Sequence, residues 1–274
     1  MPNVNAKSVV LEVLSAGLSV YRESLPVKLI VEAASVFGIA ENSLRVAIVR
    51  LRTEGLIESP KRGAYSLGPA ARAVNERVNV WRNTAERVGE WDGSWAGAFT
   101  ADLSRTDRPA LRRRTRALRY LGFEELKPGL FLRPNNLTIG IDGIRAELLS
   151  LGLERRASVF RLDSLSVDQE RRARSLWDVP SLEKKYAQLH EELQRSLRQL
   201  SELPLEESVR EAFLLGRKGI REVVLDPLLP SPLIDESKRR VLVDALTDYN
   251  ANGIALWLRF LGLQGAEQPY RAAI

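Results

Sequence analysis

Asn42, Ser43, Arg45, Val46 and Arg50 lie within one short stretch, Glu41 to Glu54, whose spacing is helical. At about 100° per residue, Asn42, Val46, Val49, Arg50 and Thr53 share one side, with Ser43 and Arg45 beside them. No acid stands between Asn42 and Thr53. These residue types suit reading the edges of base pairs. Arginine can fork onto guanine, asparagine can pair with adenine, and an aliphatic side chain can touch a thymine methyl. Downstream, Lys61 and Arg62 sit in a Pro/Gly turn, where they can neutralise phosphates and so fix position without reading sequence.

Other chemistries find little material. The chain has 274 residues, no cysteine and a single histidine, His190. A disulfide framework, a thiol nucleophile, a thiolate zinc site and a multi-histidine metal centre are therefore excluded. No GxGxxG after a strand, P-loop or GxSxG motif occurs, so no catalytic residues, metal ligands or cofactor are assigned and a non-enzyme is expected. The 41 basic and 35 acidic side chains give a charge of +6, which is compatible with a polyanionic partner but weak by itself. No run of 18 apolar residues spans a membrane and the first residues do not resemble a signal peptide, so a cytoplasmic protein is expected.

The elements that would position the candidate face come from Lys7 to Leu67. Val9, Val10, Val13, Leu14 and Leu18 recur at helical spacing. A second helix begins near Pro26 and stops near Gly38; the third follows within a few residues and ends at Gly55. Leu44, Ala47, Ile48 and Leu51 form the side opposite the candidate face and should pack inward. Two short strands, 56–58 and 64–67, flank the basic turn. Together these predict a winged helix-turn-helix. The alternative is the same module used only for contacts with a protein partner.

Further along, Pro69 to Arg87 reads as a connecting helix with Ala70, Ala73, Val74, Val78 and Trp81 inward. A strand over 91–100, a basic helix over 108–121, a strand over 129–133, a helix over 142–151 with Asp142 as its N-cap, and a strand over 158–165 predict a ferredoxin-like α+β domain. Arg112, Arg113 and Arg116 belong to an arginine cluster with three open readings: a solvated face, a grip on effector phosphates, or contact with the DNA backbone. Trp91 and Trp95, four apart, line an aromatic pocket or belong to the core. Asp102 keeps alive a metal-dependent nuclease, although one carboxylate is thin support. The stripe Leu182, Tyr186, Leu189, Leu193, Leu197 and Leu200 marks a long amphipathic helix, as an internal core or a dimer seam. Helices over 205–218 and 237–261 follow, separated by a proline- and leucine-rich crossing whose leucines need burial.

The run from Phe37 to Leu56 resembles the recognition region of PaaX-like repressors, regulators of aromatic catabolism. Trp91-Asp92-Gly93-Ser94-Trp95, Leu121-Gly122-Phe123, Pro128-Gly129-Leu130, Leu176-Trp177-Asp178 and the stretch 225–232 are similar to later parts of that family, in the same order. The wing differs, since the family's is often richer in arginine. The resemblance implies a homodimeric repressor that binds a palindromic double-stranded DNA operator. It also implies release by an aromatic acyl-CoA such as phenylacetyl-CoA. The expected fold is thus α+β and helix-rich, with a winged helix-turn-helix at 1–68, a connecting helix at 69–89, a ferredoxin-like domain at 90–170 and a helical effector and dimerisation domain at 171–274.

Overall fold

The computed structural model describes residues 4–15 and 24–263, and Leu18 of the first apolar stripe lies outside them. The protein is α+β, dominated by helices, with two small antiparallel sheets. Its contacts divide it into two units. The first comprises Met1–Val80, Glu192–Lys218 and Leu246–Ile274; the second comprises Trp81–Glu191 and Gly219–Ala245. The expected domains were consecutive along the chain. These units are not, because residues 171–274 are shared between both.

In the first unit, α1 (Ala6–Ser15) buries Val9, Val10, Val13 and Leu14. A short β1 (Leu25–Pro26) leads directly into α2 (Val27–Ser35), with Pro26 at the N-cap position. Gly38 takes φ +66°, a left-handed turn that favours glycine, and α3 (Glu41–Thr53) follows. Glu41 in its first turn and Arg50 and Arg52 in its last complement the helix dipole. Strands β2 (Ile57–Lys61) and β3 (Ala64–Leu67) pair antiparallel, and β1 adds on the other side of β3. The first strand therefore runs further than expected, through Pro60. This is tolerated because β2 is an edge strand and its register shifts between Glu58 and Lys61.

The module's core is completed by Val209, Trp257 and Leu261 from far along the chain. Phe37 meets Phe213 with ring centroids 4.7 Å apart, and Arg210 Nε donates to the Val36 carbonyl at 2.7 Å. The connecting helix is interrupted. It forms α4 (Pro69–Asn79), a 3₁₀ turn (Val80–Asn83) and α5 (Thr84–Arg87). Trp81 is buried as expected, but Val74 is 59% exposed, and the side chain of Ala73 lies outside what is described.

The second unit begins β4 (Trp95–Phe99), α6 (Arg108–Tyr120), β5 (Glu124–Lys127), β6 (Leu130–Pro134), α7 (Gly140–Ser150), β7 (Ser158–Leu162). The strand order is β5-β6-β4-β7, with every pairing antiparallel. Gly97 of β4 is required by close approach, since a Cβ there would stand 2.5 Å from the Phe160 ring on the neighbouring strand. Asp107 caps α6 by accepting from Ala110 N at 3.0 Å. Asp142 does not cap α7: the helix starts at Gly140, and Asp142 instead pairs with Arg145 within the first turns. A short α8 (Val167–Arg174) precedes three long helices, α9 (Val179–Gln199), α10 (Leu205–Val224) and α11 (Glu236–Phe260). Between the last two, Leu228 and Leu229 of the proline-rich crossing are buried as expected, whereas Leu225 at its start is 37% exposed.

Candidate nucleic-acid interface

α3 separates its residues cleanly by face. Leu44, Ala47, Ile48 and Leu51 are buried against the first unit's core. Asn42, Ser43, Arg45, Val46, Val49, Arg50, Arg52 and Thr53 are exposed. Val46 and Val49 are 51% and 62% exposed, so two branched aliphatic side chains stand uncovered among hydrogen-bonding and cationic neighbours. Leaving them in water forfeits the transfer free energy that burial would give. A groove floor carrying methyl groups would recover part of it.

The electrostatics of this face include an acid at its N-terminal edge. Glu41, the first residue of α3, accepts from both Nε and Nη2 of Arg45 on a single carboxylate oxygen, at 2.8 and 2.5 Å. The signal was present as an i,i+4 acid–base pair. Arg50 and Arg52 form no ion pair within 4 Å among the described residues.

The hairpin supplies the second surface. Lys61 and Arg62 are exposed at its tip, and Gly63 closes the turn at φ +74°. Ser59 Oγ donates to the Lys61 carbonyl at 2.9 Å, and Val27 N donates to the Gly63 carbonyl at 2.8 Å, tying the tip to the start of α2. At the hairpin base, Glu58 pairs with Arg72 at 2.6 Å. The seven residues singled out for DNA therefore lie on two adjoining elements of one unit, all exposed.

The residues singled out for an effector separate into two environments. Trp95 is fully buried, and Trp91 meets it edge-on at 5.2 Å. Trp91 precedes the strand rather than belonging to it. The chain turns between them, where Asp92 accepts from Ser94 N at 2.9 Å and Gly93 takes φ +86°. Trp177 stacks parallel on Trp95 at 6.2 Å. The indole N–H groups of Trp91 and Trp95 donate to the Ser94 carbonyl and to Glu170, and Arg174 lies over the Trp91 ring at 5.0 Å. The pair is thus part of an aromatic core cluster. Arg112, Arg113 and Arg116 are exposed on α6. Their neighbour Arg114 is buried, donating to Glu154 at 2.6 Å and to the Ser104 carbonyl at 3.1 Å. Asp102 stands exposed in the turn after β4, and among the described residues no three His, Cys, Asp or Glu side chains are arranged to hold a metal ion.

Comparison with known proteins bears on the first unit most directly. Residues 5–71 match the family model described as PaaX-like protein, the family that the motifs resemble. No curated protein matches the chain. Among solved structures, the uncharacterized protein Rv0674 from Mycobacterium tuberculosis is 20% identical, with 94% of this chain and 99% of that one covered and a TM-score of 0.65. At that identity the likeness speaks to the fold alone. No helix among the described residues is long and apolar enough to cross a membrane.

Proposed function

We propose that this protein is a DNA-binding transcriptional repressor, not an enzyme, whose first module is a winged helix-turn-helix. α3 enters the major groove, where Asn42, Ser43, Arg45, Val46 and Arg50 meet base edges, while Lys61 and Arg62 on the wing meet phosphates. The observation that carries this reading is the two-sidedness of α3: one side closed into the core, the other open, cationic and partly aliphatic. The match of residues 5–71 to the PaaX-like family supports it and suggests control of an aromatic-compound catabolic operon.

One such module reads a half-site. A homodimer on a palindromic operator doubles the contacts and so raises both affinity and specificity. The strand order β5-β6-β4-β7 supports reading part of the second unit as a ferredoxin-like domain. An aromatic acyl-CoA such as phenylacetyl-CoA would release the operator by favouring a form that binds DNA less well, a coupling typically worth about 1–3 kcal/mol. Such a regulator works in the cytoplasm, where DNA and metabolite meet.

The test is selection of duplexes from a random pool, followed by binding titrations at several salt concentrations. Specific binding should weaken steeply with salt, and Lys61→Ala with Arg62→Ala should each lower the logarithmic salt slope by about one. A protein that selects no sequence, or whose affinity ignores salt, is not this regulator.

A further inference from the structure

The second unit holds a cavity of about 470 Å³. That is within the range of pockets that take small organic ligands. Its wall is built from the end of α6, the start of α9, the end of α10 and the first turns of α11. Neither the tryptophan pair nor Arg112, Arg113 and Arg116 line it. Trp177, Leu182, Leu189, Leu225 and Leu242 supply an apolar surface. Of these, Leu225 is 37% exposed, an aliphatic side chain left at the rim.

The charges lining the cavity decide what it prefers. Asp178 is engaged by Ser181, whose N and Oγ donate to it at 3.1 and 2.6 Å. Glu222 pairs with Lys185 at 3.1 Å. Asp226 is buried and saturated: it accepts from the Tyr186 hydroxyl and from Leu228 N, and Arg239 stands 3.7 Å away. Arg119 and Arg221 also line the wall, are exposed, and form no ion pair among the described residues. Glu124 is the remaining acid; burial raises its carboxyl, and the Arg119 guanidinium nearby opposes that rise. Two guanidinium groups without an ion pair therefore face the cavity beside apolar side chains, and among the described lining acids only Asp178, hydrogen-bonded to Ser181, and Glu124, near Arg119, have no cation paired with them. Arginine's fork suits a carboxylate, sulfonate or phosphate group, and Leu225 stands one helical turn beyond Arg221 along the same stretch of chain.

We propose that this cavity is a binding site for an amphipathic organic anion, its charge met by Arg119 and Arg221 and its apolar body lying on Trp177, Leu182 and Leu225. This site does not depend on the DNA reading, and either can fail while the other holds.

Two fluorescent probes of one skeleton test it on the full chain: 8-anilino-1-naphthalenesulfonate and its uncharged counterpart N-phenyl-1-naphthylamine. The sulfonate should bind more tightly. Combined Arg119→Gln and Arg221→Gln should weaken it roughly tenfold and change the uncharged probe less than twofold. Leu225→Trp, which fills the rim without disturbing buried residues, should weaken both. Circular dichroism and melting curves verify that each variant is folded, and the single arginine variants give the same reading one charge at a time. Sulfonate affinity unchanged by the arginine variants, equal loss of both probes in them, or indifference of both probes to Leu225→Trp overturns the site.

Discussion

Arg45 is held along the side of α3 by Glu41, with two guanidinium nitrogens on one carboxylate oxygen. The pair is exposed, so it contributes little to stability. On the proposed DNA-reading face, the Arg45 guanidinium would have to leave Glu41 to reach a guanine, and the freed carboxylate would then stand as a negative charge beside a polyanion.

Glu41→Gln should therefore tighten binding to random duplex by about two- to fivefold, because it removes a negative charge beside a polyanion. Helix content should stay unchanged. The measurement is an anisotropy titration at low and moderate salt, and the gain should shrink as salt rises. No gain at either salt would remove Glu41 from the interface.

Val46 and Val49 carry the aliphatic part of the proposed recognition face. In the selected operator, replacing the contacted thymines by uracil deletes only methyl groups. Affinity should fall by about two- to fivefold, in line with roughly 0.8 kcal/mol per buried methyl-sized group. In a Val46→Ala/Val49→Ala variant the uracil and thymine operators should bind alike. A wild-type protein indifferent to uracil at every operator position contradicts thymine reading by these valines.

A pH effect should appear in the first unit. Glu12 on α1 stands 3.2 Å from Arg217, yet burial outweighs that attraction and lifts its carboxyl from 4.5 to about 7. The folded state thus favours the protonated form. Its contribution to stability is present below about pH 4.5 and is lost as pH rises through 7. Glu12→Gln abolishes that titration, so its melting temperature relative to wild type should climb between pH 5 and pH 8. A difference that stays flat across this range contradicts the assignment.

Much of the first module was legible because local signals agreed. Gly38 and Gly55 do take left-handed turns, and the apolar spacing of α3 marks its buried face. Local signals failed where distant contacts decide. β5 is made of Glu124, Glu125, Leu126 and Lys127 with only the leucine buried, so an edge strand reads as a loop. α10 continues through Gly216 and past Lys218 to Val224; a glycine in a helix costs about 1 kcal/mol, which packing can override. Arg114 is buried while Arg112, Arg113 and Arg116 are not, and nothing in a run of arginines says which will find Glu154. The sharing of α9, α10 and α11 between units needs contacts such as Phe37 with Phe213, separated by most of the chain. The cavity is not legible in the sequence for the same reason, since its wall joins residues from four separate stretches.

The central claim is that the open side of α3 discriminates between base pairs. The ratio of affinity for the selected operator to affinity for scrambled duplex, in wild type and in Arg50→Ala, tests it most directly. Loss of one bidentate base contact should reduce that ratio by about five- to 150-fold, while affinity for scrambled duplex falls only by the roughly two- to fivefold that loss of one cation beside DNA costs. An unchanged ratio, or an equal fall on both duplexes, would contradict base reading by this helix.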